Sequence, residues 1–293
     1  PPPPSFFFFM IRRPPRSTLD RSSEASDVYK RQEYSDQVNV DHQLIEDYLR
    51  SHTFNYEDFN NQTNIDVKIE TLTDSNSSKQ SLYELSNVKT IDVIDSNGEN
   101  VSHNLYYIIA REGINEKPSV ADSVYISYRG LLTDGYVFDK RKFPIWFDLA
   151  VSLEGFREGV SELKTGNFSE NSDGTISYNS FGVGIFFIPS GIGYFENTTA
   201  GIPEYSPLIF SVKLMTFTPT DHDNDGILSI DEDIDGDGKP FRDDTDGDNL
   251  WNMYDVDDDN DGILTVNEID KNSDNVIDDS DSDGTPDYLD PDN

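Results

Sequence analysis

The chain has 293 residues, no Cys, 22 Lys+Arg against 57 Asp+Glu, and a formal net charge of −35, with 34% hydrophobic and 12% aromatic residues. One or two domains fit this length, and the low apolar share implies that part of the chain buries little. The acidity excludes nucleic acid and anionic membrane surfaces as partners, since both need clustered Lys/Arg, and the lack of Cys excludes disulfides, thiolate zinc sites and cysteine nucleophiles.

Charge divides the chain. Residues 1–32 carry 6 bases and 3 acids, and residues 221–293 carry 27 acids and 3 bases. The segments are read as a leader (1–32), an N-terminal extension (33–100), a folded domain (101–219) and an acidic tail (220–293). The leader shows neither a helical nor a strand period. Its short apolar run at 6–11 precedes Arg12, Arg13 and Arg16, the reverse of a signal peptide, and falls far short of the roughly 20 residues that span a bilayer. The strings MIRRPPRSTL and DVYKRQ resemble a translated sequencing-adapter read-through, which implies that the authentic N-terminus, with any export signal or lipidated Cys, is missing.

In the extension, residues 41–51 predict a helix capped by Asp41, with Leu44, Ile45, Tyr48 and Leu49 on one face, docked on the main domain. Residues 52–87 predict loop with short strands. The run 88–94 followed by Asn97 and Gly98 predicts a hairpin. Strands are expected at 105–110, at 124–129, from Tyr136 after the turn Thr133, Asp134, Gly135, at 184–188 and at 208–215. Leu153, Phe156, Val160 and Leu163 lie along one helical face, with Gly166 closing the helix. Strands wrapped on one short helix make an α+β arrangement.

Three motifs carry a family resemblance: SYRGLLTDGYVFD at 127–139, GFREGV at 155–160, and IPS at 188–190 running to Tyr194 and on through GIP at 201–203 and SPLIF at 206–210. Over roughly 105–217 the chain resembles FKBP-type peptidyl-prolyl cis-trans isomerases. The resemblance implies a five-stranded antiparallel sheet curled round the helix. It also implies an apolar cleft lined by Tyr128, Phe138, Asp139, Ile145, Phe147, Leu153, Phe156, Tyr194, Ile202 and Phe210, acting on X-Pro bonds of polypeptides with no cofactor. The chemistry suits this list. Amide rotation costs ~18–20 kcal/mol through lost resonance, and binding the twisted amide better than the planar one lowers that barrier without nucleophile or acid. Donors to the substrate carbonyl would be the Tyr194 hydroxyl and the Leu153 N–H. Phe156 stands where the family usually has Trp, Phe195 where Gly is common and Ser152 where an apolar residue is usual. An insertion at 167–180, turning at Asn171, Asp173 and Gly174, is expected to lengthen the sheet edge. His42, His52, His103 and His222 lack metal spacing, and neither a G-x-S-x-G elbow nor a phosphate loop is present.

The tail repeats a twelve-residue calcium-loop pattern. Asp221, Asp223, Asp225, Ile227 (carbonyl) and Glu232 occupy positions 1, 3, 5, 7 and 12 of one copy, and Asp257, Asp259, Asp261, Ile263 (carbonyl) and Glu268 those of another, with Gly226 and Gly262 at the bend. Looser copies carry Asp233, Asp235 and Asp237; Asp244, Asp246 and Asp248; Asp270, Asn272 and Asp274; and Asp279, Asp281 and Asp283. They close at Asp244, Asp255, Asp281 and Asp290. With Pro240 and Pro286 breaking any flanking helix, the tail resembles thrombospondin type 3 repeats. Calcium ions as ligands imply an extracytoplasmic setting, and the pairing resembles flavobacterial-type lipid-anchored FKBP proteins of the periplasm or outer membrane. Two functions are compatible: a folding helper that isomerises X-Pro bonds, or a non-catalytic adhesion or scaffold module whose cleft only grips proline-containing peptides.

Overall fold

The computed structural model describes residues 24–60, 65–94, 100–199, 201–274 and 276–292, with side chains from residue 36 apart from that of residue 60. Residues 1–23 and the expected Asn97, Gly98 turn lie outside the described residues. The chain divides into two compact units, residues up to 118 with 124–217, and residues 119–123 with 218–293.

The first unit is built on a six-stranded sheet. Its strands are β3 (Asn87–Ile94), β4 (Asn100–Arg111), β5 (Ser123–Leu132), β6 (Val137–Asp148), β9 (Gly182–Ile188) and β10 (Leu208–Thr218), in the order β3-β4-β9-β10-β5-β6. The pairs β3–β4, β4–β9 and β9–β10 are antiparallel. The sheet therefore exceeds the expected five strands. The extra one is β3 of the extension, whose alternating run pairs with β4 from Asn87↔Tyr107 to Ile94↔Asn100. The insertion does not lengthen this sheet. β7 (Asn167–Glu170) and β8 (Ile176–Asn179) form a separate two-stranded ribbon. Its turn uses Gly174 at φ +80°, a left-handed value open to glycine, and Gly174 N–H donates to the Asn171 carbonyl at 2.9 Å.

Because side chains alternate across a strand, the sheet serves two cores. Leu105, Val124, Ile126, Tyr128, Phe186, Ile188, Leu208, Phe210, Val212 and Leu214 point to one face and pack with helix α3 (Glu154–Val160). Tyr106, Ile108, Val183, Ile185, Phe187, Ile209 and Met215 point to the other. There they meet Ile45 and Leu49 of helix α1 (Glu24–Ser51), Phe54 of strand β1 (His52–Phe54) and Leu82 of helix α2 (Leu82–Leu85). β1 pairs with β2 (Ile69–Thr71). The extension thus covers a sheet face that would otherwise be wet. Strand β9, buried at every residue, is buried because both its faces are covered.

Three sequence expectations change. Helix α1 starts at Glu24, inside the segment set aside as leader: Glu24, Ala25, Lys30, Arg31, Gln32 and Glu33 are good helix formers, a signal that a search for an apolar stripe does not register. Asp41 is consequently a mid-helix residue rather than a cap, and Leu44 is 46% exposed while Ile45 and Leu49 are buried. Gly166 does not close α3, whose C-cap is Ser161. Instead a Cβ at 166 would strike the backbone of Asn179 and Phe181.

Asp41 is 1% exposed. Its Oδ2 accepts from Ser190 N–H at 2.7 Å and Ser190 Oγ at 2.6 Å, and its Oδ1 accepts from Gln37 at 2.6 Å. Burial outweighs these bonds and raises its pKa. Asp41→Ala leaves the Ser190 donors buried and unmet, so a loss of about 1–3 kcal/mol in first-unit stability is expected. Faster amide exchange at 190–194 should accompany it; unchanged melting and exchange would refute the anchor. His103, 1% exposed, fills the space beside Gly191, and burial pushes its pKa down from 6.5 to about 4. Between those values the unfolded chain binds the extra proton and the folded chain does not, so stability falls as pH drops from about 6.5 towards 4, by up to about 3 kcal/mol. His103→Gln should flatten that part of the stability–pH curve, and a slope equal to wild type would count against it.

Candidate functional site

Strand alternation turns Tyr128 of β5 to the α3 side, where its ring lies 6.4, 6.1 and 6.2 Å from those of Phe147, Phe156 and Phe210. Phe156, on the sheet-facing side of α3, meets Phe210 at 4.9 Å and Phe147 at 5.5 Å, both edge to face. Such pairs each add about 0.5–1.5 kcal/mol beyond burial. Phe138, across the β5–β6 hairpin, meets Phe210 at 5.4 Å. It lies over Gly130, where a Cβ would come within 2.6 Å of its ring. Next to it, Asp139 Oδ2 accepts a 2.7 Å hydrogen bond from the Tyr128 hydroxyl, and Asp139 Oδ1 accepts one from Lys140 N–H at 2.7 Å.

Leu153 is the N-cap of α3, its carbonyl accepting from the N–H groups of Phe156 and Arg157 at 3.0 Å each. Tyr194 follows the 3-10 turn Ser190–Ile192, the turn that Asp41 holds. Ile202 is buried and forms an isolated bridge with Thr199. All ten sequence-selected residues therefore gather in one place. Tyr128, Phe147, Leu153, Phe156, Ile202 and Phe210 are core residues against which Phe138, Ile145 and Tyr194 pack half-buried, and Asp139 is tied in through Tyr128. The floor is closed: Phe156 and Phe210 are 0% exposed. Phe138, Asp139, Ile145 and Tyr194 are half-buried at its edge.

Burial, then the Asp139 hydrogen bond, raises the Tyr128 pKa, and burial followed by the Asp139 charge raises that of Tyr194. Both phenols stay protonated donors at neutral pH. Ser152 does not put a hydroxyl into the cleft, because Ser152 Oγ donates to the Leu149 carbonyl at 2.8 Å. Phe195 sits at φ +50°, which explains why glycine suits this place; its ring packs on Tyr205 at 5.1 Å. A hollow of about 330 Å³ shares Tyr128 with this cluster but contains none of the four Phe rings; Arg129, Lys140, Arg141, Lys142 and Lys213 also line it, with Lys213 paired to Asp66 at 2.6 Å. Asp41 is the positioning residue that sequence reasoning missed; one acid in an acidic chain carries no local signal.

The second unit holds no α-helix and, beyond the end of β10, no strand among its described residues, only 3-10 turns at Asn252–Tyr254, Thr265–Asn267 and Asp287–Leu289. Carboxylates do the local folding. Asp221 accepts from Asn224 and Gly226 N–H at 2.7 and 3.1 Å, and Asp225 Oδ1 accepts from Ile227 N–H at 2.8 Å. Gly226 and Gly262 take φ +106° and +97°, as the tight bend requires. A lock absent from the sequence reading recurs. The ninth loop residue donates its N–H to the carbonyl preceding the loop, at Ser229, Asn252, Thr265, Asp278 and Asp287. The same five side chains accept from the second residue's N–H.

These bonds bring together Asp221, Asp223 and Asp225; Asp233, Asp235 and Asp237; Asp244, Asp246 and Asp248; and Asp257, Asp259 and Asp261, with one carboxylate oxygen from each residue within 4.8 Å of the others in its group. In the later copies Asp270 accepts from Asp274 N–H, and Asp279 from Asp283 and Gly284 N–H. The donor set fits a hard divalent cation such as calcium. Asp223 Oδ2, Asp225 Oδ2 and both Glu232 oxygens are buried without a hydrogen-bond partner. Burial, reinforced by neighbouring carboxylates, raises Glu232 to about 9 and Asp258 to about 8, so these acids hold protons at neutral pH unless another positive charge replaces them. Among the described residues no helix is long and apolar enough to cross a membrane.

Comparison with known proteins bears on both units. A family model described as BamM C-terminal matches residues 222–276. The FKBP-type peptidyl-prolyl cis-trans isomerase FkpA of Aeromonas hydrophila is 31% identical over 124 residues, 41% of this chain and 41% of that protein. The crystal structure of FkpA from Escherichia coli is 29% identical, covering 44% of this chain and 52% of that one at a TM-score of 0.33. The chain thus spans about two-fifths of the length of the FkpA relative from Aeromonas. FK506-binding protein 1 of Dictyostelium discoideum is 37% identical over 115 residues, 37% of this chain but 94% of that protein. A match to nearly the whole of that compact relative, on a chain that gathers the ten motif residues into one aromatic site, makes this chain a member of the FKBP-type peptidyl-prolyl cis-trans isomerase family.

Proposed function

We propose that the first unit catalyses cis–trans isomerisation of X-Pro bonds in exported polypeptides, and that the second unit is an acidic segment stiffened by calcium. The observation that carries the first part is the Tyr128–Asp139 hydrogen bond at 2.7 Å beside the edge-to-face set Phe138, Phe147, Phe156 and Phe210. A prolyl ring is compact and apolar, and the flat aromatic faces of the rim and floor suit it. Tyr128, held to Asp139, keeps one side of the entrance polar and fixed. The Tyr194 hydroxyl, protonated at neutral pH, donates to the carbonyl that precedes proline, with the Leu153 N–H as second donor. No group forms a covalent bond. The site lowers the rotation barrier by favouring the twisted amide, which carries less charge separation than the planar one and is better accommodated in apolar surroundings.

For the second part, the buried carboxylate oxygens without hydrogen-bond partners support calcium as the neutralising charge. The clusters of Asp233, Asp235 and Asp237 and of Asp244, Asp246 and Asp248 are partly exposed, as in the weaker, extracellular class of calcium loops, which fill at ~10⁻⁴–10⁻³ M. An extracytoplasmic site of action accords with that affinity class.

A protease-coupled assay on an Ala-Leu-Pro-Phe peptide tests the first part. Phe138→Ala should lower kcat/KM at least about tenfold, and Tyr194→Phe about threefold to tenfold, the worth of one hydrogen bond, with the cooperative melt of the first unit retained. Peptide binding without acceleration by the wild-type protein would leave the scaffold function in place of catalysis. For the tail, chelation should expand the chain in small-angle scattering and remove a melting transition, while the first unit still unfolds cooperatively. A site filled to a hundred times its dissociation constant contributes about 2.7 kcal/mol. Equal dimensions with and without calcium would contradict the second part.

A further inference from the structure

Asp258 has no role in the loop that contains it. The twelve-residue pattern of 257–268 uses positions 1, 3 and 5, which are Asp257, Asp259 and Asp261, and Asp258 falls at position 2. Its main chain is locked in place, since Asp258 N–H donates to Thr265 Oγ1 at 3.2 Å, and Thr265 is 0% exposed. Its carboxylate leaves its own loop and meets Asp225 and Glu232 of the first loop, with one oxygen from each of the three within 4.8 Å of the others. Exposures are 2% for Asp225, 0% for Glu232 and 2% for Asp258. Both oxygens of Glu232, both of Asp258 and Oδ2 of Asp225 have no hydrogen-bond partner. The residue that follows the second loop also approaches the first: a Cβ on Gly226 would come within 2.9 Å of Ile269 Cδ1.

Three buried carboxylates in contact are strongly repulsive. Held ionised at this separation the three would oppose one another, and buried charge is retained only when paired or bound to metal. We propose that one calcium ion binds between the loops on Asp225, Glu232 and Asp258, and that this ion clamps residues 221–232 to residues 257–268. The inference rests on the calcium reading of the tail and adds to it a shared inter-loop site. Glu232 then closes the first loop and bridges to the second. The acidic segment becomes a folded unit closed on itself in place of a string of independent loops.

Calcium counting on the full-length chain by equilibrium dialysis and atomic absorption tests this, with Asp258→Asn against wild type and the exposed Asp292→Asn as control. Asp258→Asn should bind one ion fewer at saturating calcium, and amide exchange at 225–232 should quicken although the substitution lies in another loop. Unchanged stoichiometry and unchanged exchange at 225–232 would overturn the shared site while leaving calcium in the tail standing. A wild-type chain that takes up no calcium at millimolar concentration would overturn both. If Asp258→Asn unfolds the whole tail, wild-type exchange read along a calcium titration decides. Protection of 225–232 and 256–265 rising at one midpoint supports the clamp, and separate midpoints refute it.

Discussion

The edge-to-face contact of Phe156 with Phe210 at 4.9 Å joins the two parts of the first unit that have to meet for any site to exist. Phe210 belongs to the fourth strand in sheet order and Phe156 to a helix of only seven residues. A helix that short has little stability of its own and persists through the face it buries. Phe147 and Tyr128 pack round the same pair, so the floor of the candidate site and the keystone of the core are the same side chains. The chemistry proposed for this site needs aromatic surface and a few fixed donors, which a close-packed core can present at its edge without giving up stability.

Behind the sheet, the N-terminal extension does two things at once. It covers the second apolar face through Ile45, Leu49, Phe54 and Leu82. It also sends Asp41 to the turn that leads to Tyr194. A residue of the extension therefore holds Ser190, which precedes Tyr194 by a single 3-10 turn, so the extension also braces the segment that carries Tyr194.

The second unit obeys a different rule. Few of its residues form apolar core, Ile227, Phe241, Met253 and Tyr288 among them, and its turns are made by carboxylates that accept backbone N–H bonds. Asp223, Asp225 and Asp259 each use one oxygen in such a bond and leave the other buried and unmet, so local folding and like-charge crowding come from the same side chains. That coupling is the physical basis of the calcium dependence proposed for this unit.

Much of this was legible from the linear order of residues. The alternation at 124–129 and 208–215, the turn at Gly135, and the phase of Gly226 and Gly262 each reflect a period or a backbone requirement that acts over a few residues, and all stand in the structure. The ten residues that the motif order named pack in or against one core cluster, and their role is the proposal made above. What local pattern could not supply was decided by distant partners. Strand β3 joined the sheet because β4 offered it an open edge. Helix α1 ran back to Glu24 on propensity without an apolar stripe. Asp41 became an anchor because Ser190 arrives beside it, and Asp258 turned from its own loop to Asp225 and Glu232. Periodicity and loop spacing are properties of neighbours along the chain and are written in the amino-acid order; burial and charge crowding depend on which segments meet, and only the folded structure settles that.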